Sequence, residues 1–266
     1  MKNRLFLEDY FKNVYKSRYI LKSLVQRDLK NRYRKSFLGV TWSILTPLGM
    51  VLIIGSVYSI IWSQNPKVFI PILFTGLTPW LFLTGSAEGG AMCFAAAEGY
   101  IKQTMTDIEI FPLRSTFVAF VNLLYSAAAF LVVYIFLAPE KYSLNMLMVF
   151  PGLAILFTFG AGIATIAGVI NTHVRDYQPL QSLILQGMFY ATPIIYPAEM
   201  LERKGYSLIY LLNPFYYMIE IVRAPMTGGA IPSLQIYVTA MAIALTVAFI
   251  GIYLIRKIGR NLVFRL

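Results

Sequence analysis

Residues Ile163–Met226 read IATIAGVINTHVRDYQPLQSLILQGMFYATPIIYPAEMLERKGYSLIYLLNPFYYMIEIVRAPM, and this stretch decides the fold. A charge-free run ends at Asn171, the polar break His173–Asp176 follows, and a second apolar run extends over Tyr177–Ala198. A shorter apolar segment then carries the break Asn213–Pro214. Charge-free runs of about 20 residues are what a helix needs to cross a bilayer. The stretch therefore predicts two membrane helices joined by a cytoplasmic turn, followed by a segment that re-enters the bilayer.

The composition excludes most soluble classes of protein. Hydrophobic residues make up 58% of the 266 residues and charged residues 13%, and this charged fraction is roughly half that of a soluble domain. The net charge of +11 comes mainly from basic residues near the two ends of the chain, a pattern typical of cytoplasmic tails beside anionic lipid. We expect a multi-pass membrane protein in contact with lipid and without a nucleic acid partner. The lone Cys93 and lone His173 argue against a disulfide framework and a histidine-rich metal site.

The apolar runs predict one all-α membrane domain that fills residues 1–266. Its expected parts are an amphipathic helix in 1–35, spans one to five in 36–198, an outer segment in 199–231, span six in 232–256 and a basic tail in 257–266. The run Gly205–Ile219 is also free of charge, but about 15 residues is short for a span. A crossing there would place the two basic tails on opposite sides, against the positive-inside rule. We therefore expect six spans and both termini in the cytoplasm, with Gly205–Ile219 as a re-entrant hairpin or a segment that lies at the outer interface.

Two features near the amino terminus carry structural expectations. Leu21, Val25, Leu29 and Tyr33 recur at every fourth position, so they share one helix face. This pattern predicts a helix that lies on the membrane surface with its apolar side down, and the alternative is a solvated basic tail. Pro47 lies inside the first span, which requires a neighbouring helix to satisfy the carbonyl that proline leaves free.

Motifs for catalysis are missing from the sequence. It contains no Gly-x-x-x-x-Gly-Lys-Ser/Thr phosphate loop, no Gly-x-Ser-x-Gly elbow and no paired metal-ligand spacing. We therefore expect a protein that is not an enzyme and binds no cofactor or metal. Glu88 is the acidic residue expected near the inner end of a span, and a polar contact within the bundle is favoured over proton or sodium coupling.

Aromatic residues make up 15% of the chain, and many fall at the predicted outer face. They are an interfacial belt or a path for sugar, because pyranose C–H faces pack well on aromatic rings. The rings assigned to such a path are Trp80, Phe82, Tyr190, Tyr196, Phe215, Tyr216 and Tyr217. Arg175 and Asp176, at the turn after the fourth span, form an inner gate or brace two helix ends, and Arg223 is a further gate candidate.

An ordered set of motifs resembles the permeases of ABC transporters that export polysaccharides. The set is Arg32–Trp42 with Pro47, Gly76–Phe82, Phe111–Leu113, Arg175–Asp176, Thr192–Pro197, and Asn213–Pro214 with Arg223. The resemblance covers nearly the whole chain. It implies a homodimer of six-span subunits in a bacterial inner membrane, with two copies of a separate ATPase subunit that carries ATP and Mg.

The same resemblance implies roles for particular segments. Arg4–Lys35 corresponds to the interface helix, 199–231 to a periplasmic gate segment, and Glu98–Thr106 to the coupling helix that docks on the ATPase. The coupling residues are Glu98, Tyr100, Ile101 and Lys102. The substrate would be a polyprenyl-diphosphate-linked glycan, with O-antigen the leading expectation over capsule or teichoic acid. Arg32, Arg34 and Lys35 would meet the diphosphate or serve only as positive-inside anchors.

The sequence leaves two other classes of function open. A permease of the same superfamily that exports a drug or lipid would share the topology. A membrane glycosyltransferase or acyltransferase is less well supported, because it needs convergent carboxylates or a histidine.

Overall fold

The computed structural model describes residues 2–32, 34, 36–63, 65–104 and 106–262. Tyr33 and Lys35, to which two of the expectations above apply, lie outside the described residues, as do residues 263–266. The described ranges contain helices and loops and no β-strand. The α-helices are α1 Lys2–Lys16, α2 Arg18–Arg32, α3 Trp42–Ile61, α4 Pro66–Ala91, α5 Glu98–Gln103, α6 Ile110–Leu137, α7 Val149–His173, α8 Tyr177–Ala191, α9 Glu199–Arg203, α10 Leu208–Leu211, α11 Pro214–Met226 and α12 Leu234–Leu262.

Five helical segments of the described chain are long and apolar enough to cross a membrane. They lie in α3, α4, α6, α7 and α12, and the α7 segment starts in the 3₁₀ turn at Leu144. The expected fifth span, Tyr177–Ala198, is shorter than predicted, because α8 ends at Ala191 after 15 residues. A helix of that length rises about 22 Å, which is less than the roughly 30 Å of a hydrocarbon core.

Helix α4 runs through the middle of the bundle and sets the direction of its neighbours. Phe74 stacks on Phe130 of α6, and Gly85 faces Ala119 nearer the start of α6, so α4 and α6 are antiparallel. Phe82 lies against Gly160 of α7. Helices α4 and α7 contact each other again further along both chains of residues, so these two helices are parallel. Helices α7 and α12 are also parallel.

The end of the bundle at which α4 and α7 finish is here called the base. The amino-terminal helices are fixed to the base by ion pairs and hydrogen bonds. Arg256 of α12 pairs with Asp9 at 3.0 Å and with Glu109 at 3.4 Å. Arg114 of α6 pairs with Asp28 of α2. Both ends of the described chain therefore lie at the base.

The expected single amino-terminal helix is two helices separated by Ser17, whose hydroxyl donates to Asp107 at 2.9 Å. Leu21 and Leu24 of α2 are buried in a cluster at the base with Phe94 and Phe111. This base cluster means that the apolar stripe of α2 covers the protein itself and not only lipid.

The expectation for Pro47 is confirmed. Proline at position 47 removes the N–H that would bond to the Ser43 carbonyl in a helix. Ser126 Oγ of α6 donates to that carbonyl at 3.2 Å, and Ser43 Oγ donates to Asn122 of α6 at 2.8 Å. The interrupted helix is thus completed by its neighbour, as a bilayer requires.

After α8 the chain leaves the bundle, and it returns beside the same residue of α4. Trp80 of α4 contacts both Phe189 near the end of α8 and Phe215 at the start of α11. Asn213 caps α11 by accepting from the Phe215 N–H, and its amide donates to Thr192 Oγ1 at 2.7 Å. Helix α11 then continues to the end opposite the base. Helix α11 therefore packs back against the bundle, and it overlaps the predicted hairpin Gly205–Ile219 over residues 214–219.

We predict that the cost of Ser126→Ala depends on Pro47. In the wild-type chain the substitution removes the hydrogen bond that Ser126 Oγ donates to the Ser43 carbonyl and should cost about 1 kcal/mol of unfolding free energy. In a Pro47→Ala background the helix supplies its own N–H, so the same change should cost close to nothing. Unfolding of the detergent-purified variants in a double-mutant cycle measures the difference.

Ser56→Ala is the matched control for this cycle, because Ser56 is exposed on α3 and bonds to the Ile53 carbonyl of its own helix. Equal costs of Ser126→Ala in the two backgrounds would contradict the prediction.

Candidate functional site

The base presents a small polar surface at α5. Glu98 and Lys102 form an ion pair of 2.7 Å one helical turn apart. The hydrogen bond and the charge of Lys102 hold the pKa of the Glu98 carboxyl below its ordinary value, and the charge of Arg175 acts in the same direction. The turn between α7 and α8 therefore lies close to α5, and the two elements form one surface.

Two of the predicted coupling residues do not face outwards. Ile101 is buried in the base cluster, and Tyr100 packs edge-on against Phe111 with ring centroids 6.2 Å apart. A six-residue helix has one side against the bundle and one side in solvent, so Glu98 and Lys102 take the outer side. The Ile101 side chain supports the position of α5 and is not placed to touch a partner.

Arg175 and Asp176 are both exposed, and the described structure shows no ion pair between them. The turn that holds them is fixed by Asn171, which sequence reasoning missed. Its amide donates to the Ala91 carbonyl at 2.8 Å, and its Oδ1 accepts from the Gln178 N–H at 3.2 Å. One buried side chain thus joins the ends of α4 and α7 to the start of α8.

The aromatic residues assigned to a sugar path have different surroundings. Trp80 and Phe82 are buried in the main core, and Phe215, Tyr216 and Tyr217 are partly buried. The Tyr190 ring is exposed, and the Tyr190 carbonyl accepts a hydrogen bond of 2.7 Å from Tyr196. The structure therefore brings Trp80, Phe189 and Phe215 together as packing, while Tyr190 presents a free ring face.

Arg223 lies on the buried side of α11, where its guanidinium rests on Gly76 of α4. A Cβ added at Gly76 would come within 2.1 Å of Arg223 Nη2, so only glycine leaves room for this contact. Nη2 donates to the Ile194 carbonyl at 3.2 Å, and Glu220 lies 4.0 Å from Nη1. An ionisable group buried inside a bundle of membrane helices is costly and usually functional. Gly76 opens the motif Gly76–Phe82, but it was assigned no role from the sequence, and Glu220 stands in no motif.

Arg32 and Arg34 are exposed beside the start of α3, and Lys35 lies outside the described residues. Among the described residues, no group of three or more His, Cys, Asp or Glu side chains is arranged to hold a metal ion.

Comparison with known proteins connects this arrangement to one family. The sequence profile described as "ABC-2 type transporter" matches residues 19–227. The O-antigen export system permease protein RfbA of Klebsiella pneumoniae is 32% identical over 203 residues, which cover 75% of this chain and 77% of that protein. RfbA of Myxococcus xanthus is 29% identical over 215 residues, 80% of this chain and 82% of that protein.

The name of a third relative states a different cargo. The polysialic acid transport protein KpsM of Escherichia coli is 24% identical over 242 residues, which cover 89% of this chain and 92% of that protein. The family profile matches far more than half of the chain, from α2 to the end of α11, and the chain therefore belongs to the ABC-2 type transporter family.

Proposed function

We propose that this chain is the membrane permease subunit of an ATP-driven exporter of a polyprenyl-diphosphate-linked polysaccharide, with O-antigen as the cargo. The observation that carries the proposal is the similarity to RfbA permeases over at least three quarters of both chains. Two copies of the chain would assemble with two copies of an ATPase subunit in the bacterial inner membrane. ATP and Mg would be bound on the ATPase, since this sequence has no phosphate loop.

The base is proposed to face the cytoplasm and to carry the ATPase. Basic residues are concentrated in α1 and α2, which lie there, as the positive-inside rule favours. The exposed side chains of Glu98 and Lys102, beside Arg175 and Asp176, give a charged surface of the kind that directs docking of a partner. Arg32 and Arg34 at the same end are proposed to meet the diphosphate through charge-assisted hydrogen bonds.

Helices α8 and α11 are proposed to make one interrupted crossing. Helix α8 starts at the base and ends beside Trp80, and α11 starts beside Trp80 and continues to the opposite end. With the five candidate spans this makes six crossings, which agrees with both ends of the described chain lying at the base. Residues 192–213, which overlap the predicted gate segment 199–231, would then lie at the outer side of this break, with Arg223 holding the Ile194 carbonyl in the closed arrangement.

Export should depend on the charged surface of α5. In cells that lack the chain, surface polysaccharide should disappear and return when the wild-type chain is supplied. Lys102→Glu should restore much less polysaccharide at an equal amount of permease, because it reverses a surface charge without disturbing the core. An exposed ion pair contributes at most about 1 kcal/mol to stability, so folding should be retained. The measurement is surface polysaccharide per unit of permease in the membrane.

Lys141→Glu is the control for this experiment, since Lys141 is exposed at the end opposite the base. Ile101→Glu should instead lower the amount of folded permease, because it buries a charge in the base cluster. Normal export by Lys102→Glu would reject the docking surface. Unchanged surface polysaccharide without the chain would reject the function, and an altered drug sensitivity instead would favour a drug exporter.

The proposed topology predicts a pattern of cysteine labelling. Lys12→Cys in α1 and Lys257→Cys in α12 should react with an impermeant maleimide only after the membrane is opened, whereas Lys141→Cys should react in intact spheroplasts. The native Cys93 is buried, so the wild-type chain should stay unlabelled and serves as the background. Labelling of Lys12→Cys from outside would show that the base does not face the cytoplasm.

The gate role predicts that Arg223→Lys lowers export. Lysine keeps the charge but lacks the planar fork that reaches Ile194 while lying on Gly76. We expect reduced surface polysaccharide with a normal amount of permease. Arg203→Lys is the matched control, because Arg203 is exposed on α9. If the two variants export equally, Arg223 has only a structural role.

A further inference from the structure

Helix α8 lies against the bundle along one narrow stripe. The structure describes all fifteen residues of α8, and of these only Gln181 and Leu185 are buried. They are four positions apart, so they lie on one face of the helix. Leu180 and Leu183, on other faces, are each more than half exposed. The bundle therefore holds α8 through a small area of contact.

One side chain of the preceding helix holds the base end of α8. The first N–H groups of a helix have no partner within it, and neither do the last carbonyls. Asp176 stands at the N-cap of α8, but its side chain makes no capping hydrogen bond. Asn171 supplies that bond instead: its Oδ1 accepts from the Gln178 N–H, and its amide donates to the carbonyl of Ala91, the last residue of α4. The start of α8 is thus fixed to the end of α4.

Gln181 weakens the stripe that attaches α8 to the bundle. The residue is 6% exposed, and neither its Nε2 nor its Oε1 has a hydrogen-bond partner within the described structure. A buried amide without partners is less favourable than an apolar side chain of the same shape. Gln181 lies about 6 Å along the helix from its first residue, close to the base. A small displacement of α8 from the bundle would therefore let the amide reach water or lipid headgroups.

The outer end of α8 is held across the break. Thr192, the first residue after the helix, accepts a hydrogen bond of 2.7 Å from the Asn213 amide. Helix α8 is therefore attached by hydrogen bonds at its two ends, and between them lies a stripe that carries an unpaired amide.

We propose that Asn171 and Gln181 set the position of α8 during transport. Asn171 is the pivot that keeps the base end of the helix on α4, and the Gln181 amide favours a tilt of the rest of the helix away from the bundle. Such a tilt would separate Thr192 from Asn213 and open the break between α8 and α11. This inference rests on the proposed export function and adds to it the two residues that control the movement of α8.

Gln181→Met tests the role of the amide, because methionine is unbranched and of similar length but is apolar. Removal of the unpaired buried amide should raise the unfolding temperature of the full chain in lipid nanodiscs by about 2–6 °C. The same variant should lower the rate at which polysaccharide appears on cells about 5-fold or more at an equal amount of permease, because α8 stays packed for more of the time. A purely structural residue would not combine higher stability with lower export.

Thiol modification measures the tilt itself. Leu185→Cys places a thiol on the buried stripe, where N-ethylmaleimide reacts with it only while α8 is displaced from the bundle. Gln181→Met should slow this reaction about 5- to 30-fold, whereas Asn171→Ala, which removes the pivot, should speed it and also lower export. The native Cys93, buried in the base cluster, is the internal reference, and its reaction rate should not change with Gln181→Met.

Gln235→Met is the matched control, because Gln235 is exposed near the start of α12. The control variant should change neither the unfolding temperature, nor the export rate, nor the modification of Leu185→Cys.

Three results with Gln181→Met would each overturn the inference. A lower unfolding temperature would show that the amide is paired when α8 is packed, an unchanged reaction rate of Leu185→Cys would show that α8 does not tilt there, and a normal export rate would show that the tilt is not used. The export function would still stand if the wild-type chain restores surface polysaccharide. If the wild-type chain restores none, while Gln181→Met raises the unfolding temperature and slows the reaction, the tilt belongs to a chain with another cargo.

Discussion

The bilayer forces every backbone hydrogen-bonding group of this protein to find its partner inside the protein. That constraint decides how each interruption of a helix is built. Pro47 breaks α3, and Ser126 of the neighbouring α6 satisfies the carbonyl that is left free. The larger break between α8 and α11 is closed in the same way, because Asn213 both caps α11 and bonds to Thr192 at the end of α8. Each break is tolerated only because another helix lies against it.

The position of α4 follows from the same constraint. It is the helix against which α3, α6, α7, α8 and α11 all pack, and the side chains that cover the breaks lie around it. Trp80 fills the space where α8 ends and α11 starts, and Gly76 makes room for the Arg223 guanidinium. At the base a second apolar cluster and the ion pairs of Arg114 and Arg256 attach the amino-terminal helices. The base is therefore one continuous packed surface that includes residues from α1, α2, α6 and α12.

Sequence patterns predicted the positions of the site's elements better than they predicted the orientation of the side chains. The Glu98 and Lys102 side chains are about half exposed, whereas Ile101 and Trp80 are buried. In a membrane protein an apolar residue is equally suited to lipid and to the core, since lipid tails are as apolar as leucine. Hydropathy therefore cannot separate a ring that lines a path from a ring that holds two helices together. Polar residues such as Asn171 and Gln181 carry more information, but only once their neighbours are known.

The sequence by itself determined the class of this protein. Charge-free runs and basic ends indicate a multi-pass membrane protein, and the order of the motifs resembles that of ABC transporter permeases. These features are local, because each depends on residues close together in the chain. The tertiary structure alone decided that the predicted fifth span ends at Ala191, that Arg223 rests on Gly76, and that Gln181 of α8 is buried against the bundle. Each of these depends on contacts between helices distant in sequence, and the packing of apolar helices is set by shape and by scattered polar side chains, which no periodic pattern records.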